Sequence, residues 1–484
     1  MIDLRIHEDV LEHAVRRAAE RGVVVPTFAE MRDPSLIAPA QVKRLASVGL
    51  WDPDPANLFR ITWHNEPVAV GGGFGPVNFV ELPSALTGVD ARVIALVGKW
   101  FPTGAHKVGA AFGCLVPRLV TGGFDPATQK AVWPSTGNYC RGGAFDSVLL
   151  GCRALAILPE GMSRERFTWL EDIGAEVIKT PGSESNVKEI FDECHRLRTS
   201  GRDVVIFNQF DELGNYLWHY SVTGPAMVEA AALAAPEANV AGVVLATGSA
   251  GTIASGDFVK QQHPGARIAA AEALQCPTML RNGYGTHRIE GIGDKHIPWI
   301  HNVRNTDAVV AVDDADPMAV LRLFNEDAGR RRLLTEGVPA DLVERLGLFG
   351  ISGIANLMAS ISFAKQFRLG SESVVLTVLT DSVDLYHSRV AELHDAEGAF
   401  TVEHAAATYR GNLLGQDTDH TLVLDDDSRR RIHNLKYFTW VEQQGKTVAE
   451  LDAQWEPGYW EATQAQAPEI DRLIGAFNRS VAAR

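Results

Sequence analysis

The sequence predicts an α/β protein built on parallel sheets, and three observations carry that expectation. From about Arg92 to Asp381, short runs rich in Val, Ile and Leu alternate with segments of helical period. The runs lack polar alternation, as strands covered on both faces do, and the intervening helices supply the crossovers that parallel strands need. Hydrophobic residues make up 46% of the chain and charged residues 22%, the balance of a globular protein. With 484 residues there is ample core for two or three domains.

Residues 1–75 read as an N-terminal extension. It opens with MIDLRIHEDVLEHAVRRAAERG, whose threaded charges suit an amphipathic helix better than a secretion signal, and it closes on a GGGFG turn (71–75). RVIALVG (92–98) reads as a buried strand and KVGAAFGCLVPRLV (107–120) as a helix. Further strands are expected at ALAILP (154–159), AEVIKTP (175–181), DVVIFN (203–208), VAGVVLATG (240–248), ARIAAAEAL (266–274) and VVLTVLTD (374–381). Helices MSRERFTWLEDIG (162–174) and SNVKEIFDECHRLRTS (185–200) fall between them, so a core is expected over 76–395. Beyond it the rhythm is lost, and 396–484 reads as a mostly helical extension. There Tyr437, Phe438 and Trp440 are expected to pin the tail onto the core or a second subunit.

Charge and cysteine usage narrow the function classes. A net charge of −15 argues against docking on nucleic acid or an anionic membrane. No apolar run approaches the roughly 20 residues of a membrane span. The five cysteines are scattered without a CxxC pair, which favours a reduced cytoplasm, and no histidine pairing of the HExxH kind predicts a metal. Small-molecule chemistry leads.

Three loops hold the chemistry. In FPTGAHKVGAAF (101–112) a lysine, scarce in this arginine-rich chain, sits in a glycine turn at a helix start. Lysine forms Schiff bases when its amine is desolvated, although Lys107 alone could also snorkel to solvent. WPSTGNYCRGGA (133–144) offers Ser135, Thr136 and Asn138 around Gly137, enough to bind a carboxylate at a helix N-terminus or simply to cap it. LATGSAGTIASG (245–256) follows a strand and lacks both the GK[ST] ending of a P-loop and the GxGxxG spacing. A phosphate monoester suits its backbone N–H groups, and a plain turn is the alternative.

In order and spacing these loops resemble those of the fold-type II pyridoxal-phosphate enzymes, which include cysteine synthase, cystathionine β-synthase, threonine dehydratase and the tryptophan synthase β chain. PTGAHK is similar to their Schiff-base lysine motif, STGN to the asparagine loop of the cysteine synthase group, and GSAGT to the phosphate loop. LTDSVDLYHS (379–388) resembles the DSGERYLS segment at Asp381, Ser382, Tyr386 and Ser388, while GIGDKHIP (291–298) and FGISGIANLMAS (349–360) are weaker echoes. The resemblance covers about residues 75–390. It implies two parallel-sheet α/β subdomains with pyridoxal 5′-phosphate in the cleft between them.

By that resemblance Lys107 is the catalytic lysine, holding the cofactor aldehyde as an imine. Gly248, Ser249, Ala250, Gly251 and Thr252 bind its phosphate, Asn138 its 3′ oxygen, and Ser382 its pyridine nitrogen. His106 is a further candidate for the phosphate. Ser135, Thr136, Gly137 and Tyr139 are expected at the substrate, Tyr139 standing where cysteine synthases carry threonine. Cys140 reads as a buried small residue, and Arg141 either meets an acidic group or caps a surface. Pro134 and Ser135 stand where tryptophan synthase has a glutamate, which argues against indole chemistry.

The implied function is β-replacement or β-elimination on a β-substituted L-amino acid, a serine or cysteine derivative, through an aminoacrylate, in a cytoplasmic homodimer. A serine/threonine-type dehydratase is the rival within the class. Outside it stand a non-catalytic metabolite-binding homologue and a nucleotide-dependent oxidoreductase.

Overall fold

The computed structural model describes residues 1–67, 70–182, 186–293 and 295–484. Within them the strands are β1 (Phe79–Leu82), β2 (Arg92–Val97), β3 (Lys130–Pro134), β4 (Arg153–Pro159), β5 (Glu176–Thr180), β6 (Val204–Ile206), β7 (Asn239–Ala246), β8 (Arg267–Ala273), β9 (Ala308–Val312), β10 (Ser373–Leu379) and β11 (Thr421–Val423). They form two sheets. The larger runs β1-β2-β10-β7-β8-β9-β11 and the smaller β5-β4-β3-β6. All pairings are parallel except β1 with β2 and β11 with β9, at the two edges of the larger sheet.

Every strand expected from the sequence is present, within a residue or two at each end. β10 is buried along its whole length, as an apolar run in a doubly covered sheet should be. β6 is only half-buried, because it is an edge strand. The reading above missed β1, β3, β9 and β11. KAVWP (130–134) ends in the proline that opens the next loop, and TLV (421–423) is too short to show a period. The helices fall at Lys107–Thr121, Arg164–Asp172 and Val187–Thr199. Ser185, which begins the last expected stretch, and Asp294, in GIGDKHIP, lie outside the described residues. No described helix is long and apolar enough to cross a membrane.

The sheet order places the site. β2, β10 and β7 are neighbours, so the loops that leave their carboxyl ends open side by side: 98–106 before Lys107, Thr380–Ser382, and Thr247–Thr252. Ligands in open α/β sheets bind at such carboxyl ends. The carboxyl end of β3 in the smaller sheet delivers Ser135–Asn138 from the opposite side.

The two extensions join each other. The first helix, Glu8–Glu20, buries Ala14, Val15 and Ala18, and the last, Ala467–Ala482, buries Ile470, Leu473, Ile474 and Phe477 in the same core. Asp471 accepts the backbone N–H groups of Phe28 (2.7 Å) and Ala29 (3.2 Å), capping the helix Phe28–Arg32 from the far end of the chain. Asn478 exchanges two hydrogen bonds with the Val25 backbone. Of the three aromatics expected to pin the tail, Trp440 is fully buried, whereas Tyr437 and Phe438 stay at the surface.

Lys436 fixes the tail at a second point. Its buried ammonium donates to the carbonyl oxygens of Trp299 and His301, both at 2.8 Å, and to Gln454 Oε1 at 2.6 Å. Burial pulls its pKa well below the ordinary lysine value, and three acceptors offset that by satisfying the charged form. In Lys436→Met those acceptors lose their donor, and the expected loss is about 3 kcal/mol. Denaturant unfolding of the two proteins measures it; a loss near zero would show that water replaces the ammonium.

Candidate active site

Lys107 starts a helix that is buried almost throughout, so its side chain emerges from a rigid element. The turn before it is strained. Thr103 and Gly104 have φ of 70° and 71°, and a side chain at Gly104 would meet Trp51 of the N-terminal extension at 2.9 Å. Lys107 Nζ donates to Ser249 Oγ at 3.1 Å. That hydroxyl also accepts from Asn215 Nδ2 at 3.0 Å, so lysine and glycine loop are tied together.

The glycine loop is built to hold an anion. Ala250 adopts φ 60°, and a Cβ on Gly251 would lie 2.0 Å from Asn215 Oδ1. Among the described residues, the N–H groups of Gly248, Ser249, Ala250, Gly251 and Thr252 have no acceptor within hydrogen-bonding distance. Successive unpaired N–H groups in such a turn, at the start of the helix Ile253–Gln262, form a nest for phosphate.

Between lysine and nest lies a narrow cavity, partly open to solvent. Of the residues expected from the sequence, Lys107, Ser135, Thr136, Asn138, Tyr139, Gly248 and Ser249 line it. Ala250, Gly251 and Thr252 continue the loop behind that wall. Gly137 shapes the opposite loop from outside the wall: its φ is 156°, and a Cβ there would lie 2.1 Å from Arg166 Nη1. Ser135 Oγ accepts the N–H of Gly137 at 3.0 Å.

Four other candidates sit elsewhere. His106 is fully buried against Trp63 (5.4 Å) and His219 (5.1 Å), with Nε2 3.3 Å from Thr380 Oγ1, and it does not line the cavity. Burial and the Lys107 charge push its pKa well below 6.5. Ser382 is buried but off the wall; in its segment Thr380 lines the cavity. Arg141 is buried with its guanidinium 4.7 Å from the Trp169 ring centre, its pKa pulled down to about 10 by burial and by Arg166. Cys140 is a buried small residue, its thiol pushed up to about 12 by burial and its sulfur 2.9 Å from the Gly137 carbonyl.

Sequence reasoning missed Arg166, Gln209 and Phe210 on the cavity wall. Arg166 is the centre of a polar network across the two sheets. It donates to the Thr136 carbonyl (3.0 Å) and Tyr386 hydroxyl (2.9 Å), and it pairs with Glu290 (3.0 Å) and Asp381 (3.8 Å). Asp381 in turn accepts from Asn138 Nδ2 (2.6 Å) and Tyr386 (2.7 Å). Burial raises the Asp381 pKa, opposed by the Arg166 charge and these two hydrogen bonds. One Asn138 hydrogen is thus committed, which fixes the amide's orientation toward the cavity. The motif resemblance named Asp381 and Tyr386 but gave no sign of Arg166, one of two arginines on its helix.

A lysine beside a loop of unpaired N–H groups, between two largely parallel sheets joined by a buried polar network, is an arrangement suited to a phosphorylated carbonyl compound. The pyridoxal-phosphate dependent enzyme family model matches residues 72–381. The chain belongs to the pyridoxal-phosphate dependent enzyme family. A cysteine synthase of Staphylococcus aureus is 30% identical over 315 residues, covering 65% of this chain and 93% of the relative. The cystathionine β-synthase of Saccharomyces cerevisiae is 23% identical over 321 residues, covering 64% of this chain and 60% of the relative. In fold, the crystal structure of an O-acetylserine dependent cystathionine β-synthase from Helicobacter pylori aligns with a TM-score of 0.54 at 22% identity, covering 64% and 94% of the two chains. The protein is therefore a cysteine synthase-like enzyme that uses pyridoxal 5′-phosphate.

The nest and the lysine fit that cofactor, and they make its binding testable. Gly251→Ala drives a methyl group into Asn215, displacing the amide that holds Ser249. Its affinity for pyridoxal phosphate is expected to fall by about tenfold or more, read by titrating the cofactor-free protein. Unchanged affinity would move the phosphate away from this loop.

Proposed function

We propose that the protein catalyses β-replacement on a β-substituted L-amino acid derived from serine or cysteine, with β-elimination as the accompanying reaction. The observation that carries this is Lys107 Nζ at 3.1 Å from Ser249, at the mouth of the unpaired N–H nest. When bound, the cofactor supplies an electron sink for the substrate's α-carbon. Lys107 holds it and, once released, has its amine placed to take the α-proton on Nζ. Gly248–Thr252 hold the phosphate, and Asn138, oriented by Asp381, meets the ring oxygen. A hydroxyl of the 380–382 segment, Thr380 or Ser382, would hold the ring nitrogen by a hydrogen bond. Ser135, Thr136 and Tyr139 surround the substrate carboxylate, with Gly137 giving the loop its bend.

Residues 76–395 form the catalytic core in this reading, flanked by the two extensions, and the chain works as a cytoplasmic homodimer as the resemblance implies. The test is a screen for keto-acid release and α-proton exchange with serine, cysteine and their O-acyl and O-phospho derivatives, with and without sulfide. Product formation that needs a nucleophile supports replacement. Keto acid from free serine or threonine alone would make the protein a dehydratase, and no response to any of them would overturn the proposal.

A further inference from the structure

The C-terminal extension reaches the back of the cavity wall. Two apolar residues of that wall, Val187 and Phe210, belong to a cluster completed by Phe191, Trp299, Trp440 and Leu451. Trp440 is fully buried, and its indole N–H donates to the Ile297 carbonyl at 2.8 Å, which sets the ring. It packs on Phe191 at 6.0 Å and on His296 at 5.7 Å. Those rings abut Phe210 at 5.9 and 5.0 Å. A single layer of rings therefore stands between the tail and the cavity wall.

The wall in question is the substrate side. Gln209, next to Phe210, donates to Ser135 Oγ at 3.4 Å, in the loop assigned to the substrate rather than to the phosphate. Lys446 of the tail pairs with Asp211, on the other side of Phe210, at 3.2 Å, and so fixes the register of the same segment. Close-packed aromatic layers transmit a change of volume instead of absorbing it.

We infer that the C-terminal extension is a specificity element, in which Trp440 acts through Phe191 and His296 to hold Phe210 and Val187 against the substrate and confine the β-substituent to a small group. This rests on the proposed function above. Trp440 is a positioning residue, since it touches the wall only through other rings.

The test uses the cofactor-loaded full chain and two amino acids that carry no β-leaving group, L-alanine and L-methionine, with binding followed by calorimetry and by the cofactor's absorbance. The wild type is expected to favour alanine. In Trp440→Ala the ratio of methionine to alanine affinity should rise by about tenfold or more, as expected when an apolar pocket gains room. Alanine affinity and cofactor content should change little. Trp440→Phe, a milder change that preserves a ring, should restore most of the wild-type ratio. In Trp440→Ala, equal weakening of both ligands or an unchanged ratio overturns the inference; if Trp440→Ala does not fold, Trp440→Leu takes its place, a raised ratio supporting the inference and an unchanged ratio overturning it. A wild type that binds neither amino acid overturns the proposed function and the inference with it, whereas a wild type that binds both, with variants that keep its ratio, overturns the specificity element alone.

Discussion

Lys107→Ala is expected to abolish turnover by three orders of magnitude or more, on the order of what general base and covalent catalysis each contribute. It should also remove the absorbance band near about 410 nm that a lysine-linked pyridoxal cofactor gives. The variant should still bind the cofactor reversibly, because the nest of Gly248–Thr252 is the loop after β7, apart from the helix that Lys107 begins, and keeps its geometry. Stability should hold as well. The lysine side chain makes a hydrogen bond to Ser249, whose hydroxyl retains its second partner, Asn215. Spectra, cofactor titration and activity on one sample separate these effects. Retention of the band in Lys107→Ala would place the covalent link on another lysine, and the site would have to be redrawn.

The largest stability effect is expected at Arg166. Its guanidinium, 1% exposed, faces Glu290 and Asp381, which are 5% and 0% exposed. Arg166→Met removes the cation at ion-pair distance from Asp381 and leaves the buried carboxylate with the weaker field of Arg141, while Glu290 keeps Arg389 at 2.7 Å. Breaking a buried pair from one side costs about 3–5 kcal/mol, because the remaining charge is uncompensated. Arg166→Lys is expected to recover little, since a lysine cannot fork to the Thr136 carbonyl, Tyr386 and Glu290 together. Activity should fall further than stability, because the same guanidinium supports the loop that holds Asn138. Denaturant unfolding of the cofactor-loaded proteins provides the number. A loss under about 1 kcal/mol would show that Arg389 alone neutralises the cluster.

The strands of the core were legible because their signal is local. Runs such as VVLTVLTD lie in doubly covered sheets, and continuous apolarity follows from that burial. The missed strands are short or end in proline, where five residues or fewer carry too little pattern. At the site, the loops around Lys107, Asn138 and Ser249 stood out by glycine content and by the resemblance of their order. Arg166 did not, because burial of a charge depends on partners, Glu290 and Asp381, more than a hundred positions away in the chain. For the same reason the sequence leaves His106 open between a phosphate contact and packing, and its surroundings in the fold are Trp63, His219 and Thr380.

By itself the sequence determined the class of fold and singled out Lys107 and the glycine loops as candidates, since strand period, helix starts and glycine turns are properties of adjacent residues. The tertiary structure decided how those parts meet. Only the order β2-β10-β7 brings residues near 107, 248 and 380 to one edge, because hydrogen bonding between strands distant in sequence sets which carboxyl ends are neighbours. It also gave the extra length a place. Residues of both ends bind each other through Asp471, Asn478 and Gln466, and the tail packs through Trp440 behind the cavity wall. Such contacts depend on apolar faces finding distant partners, and that pairing is settled by packing of the whole chain rather than by any stretch of it.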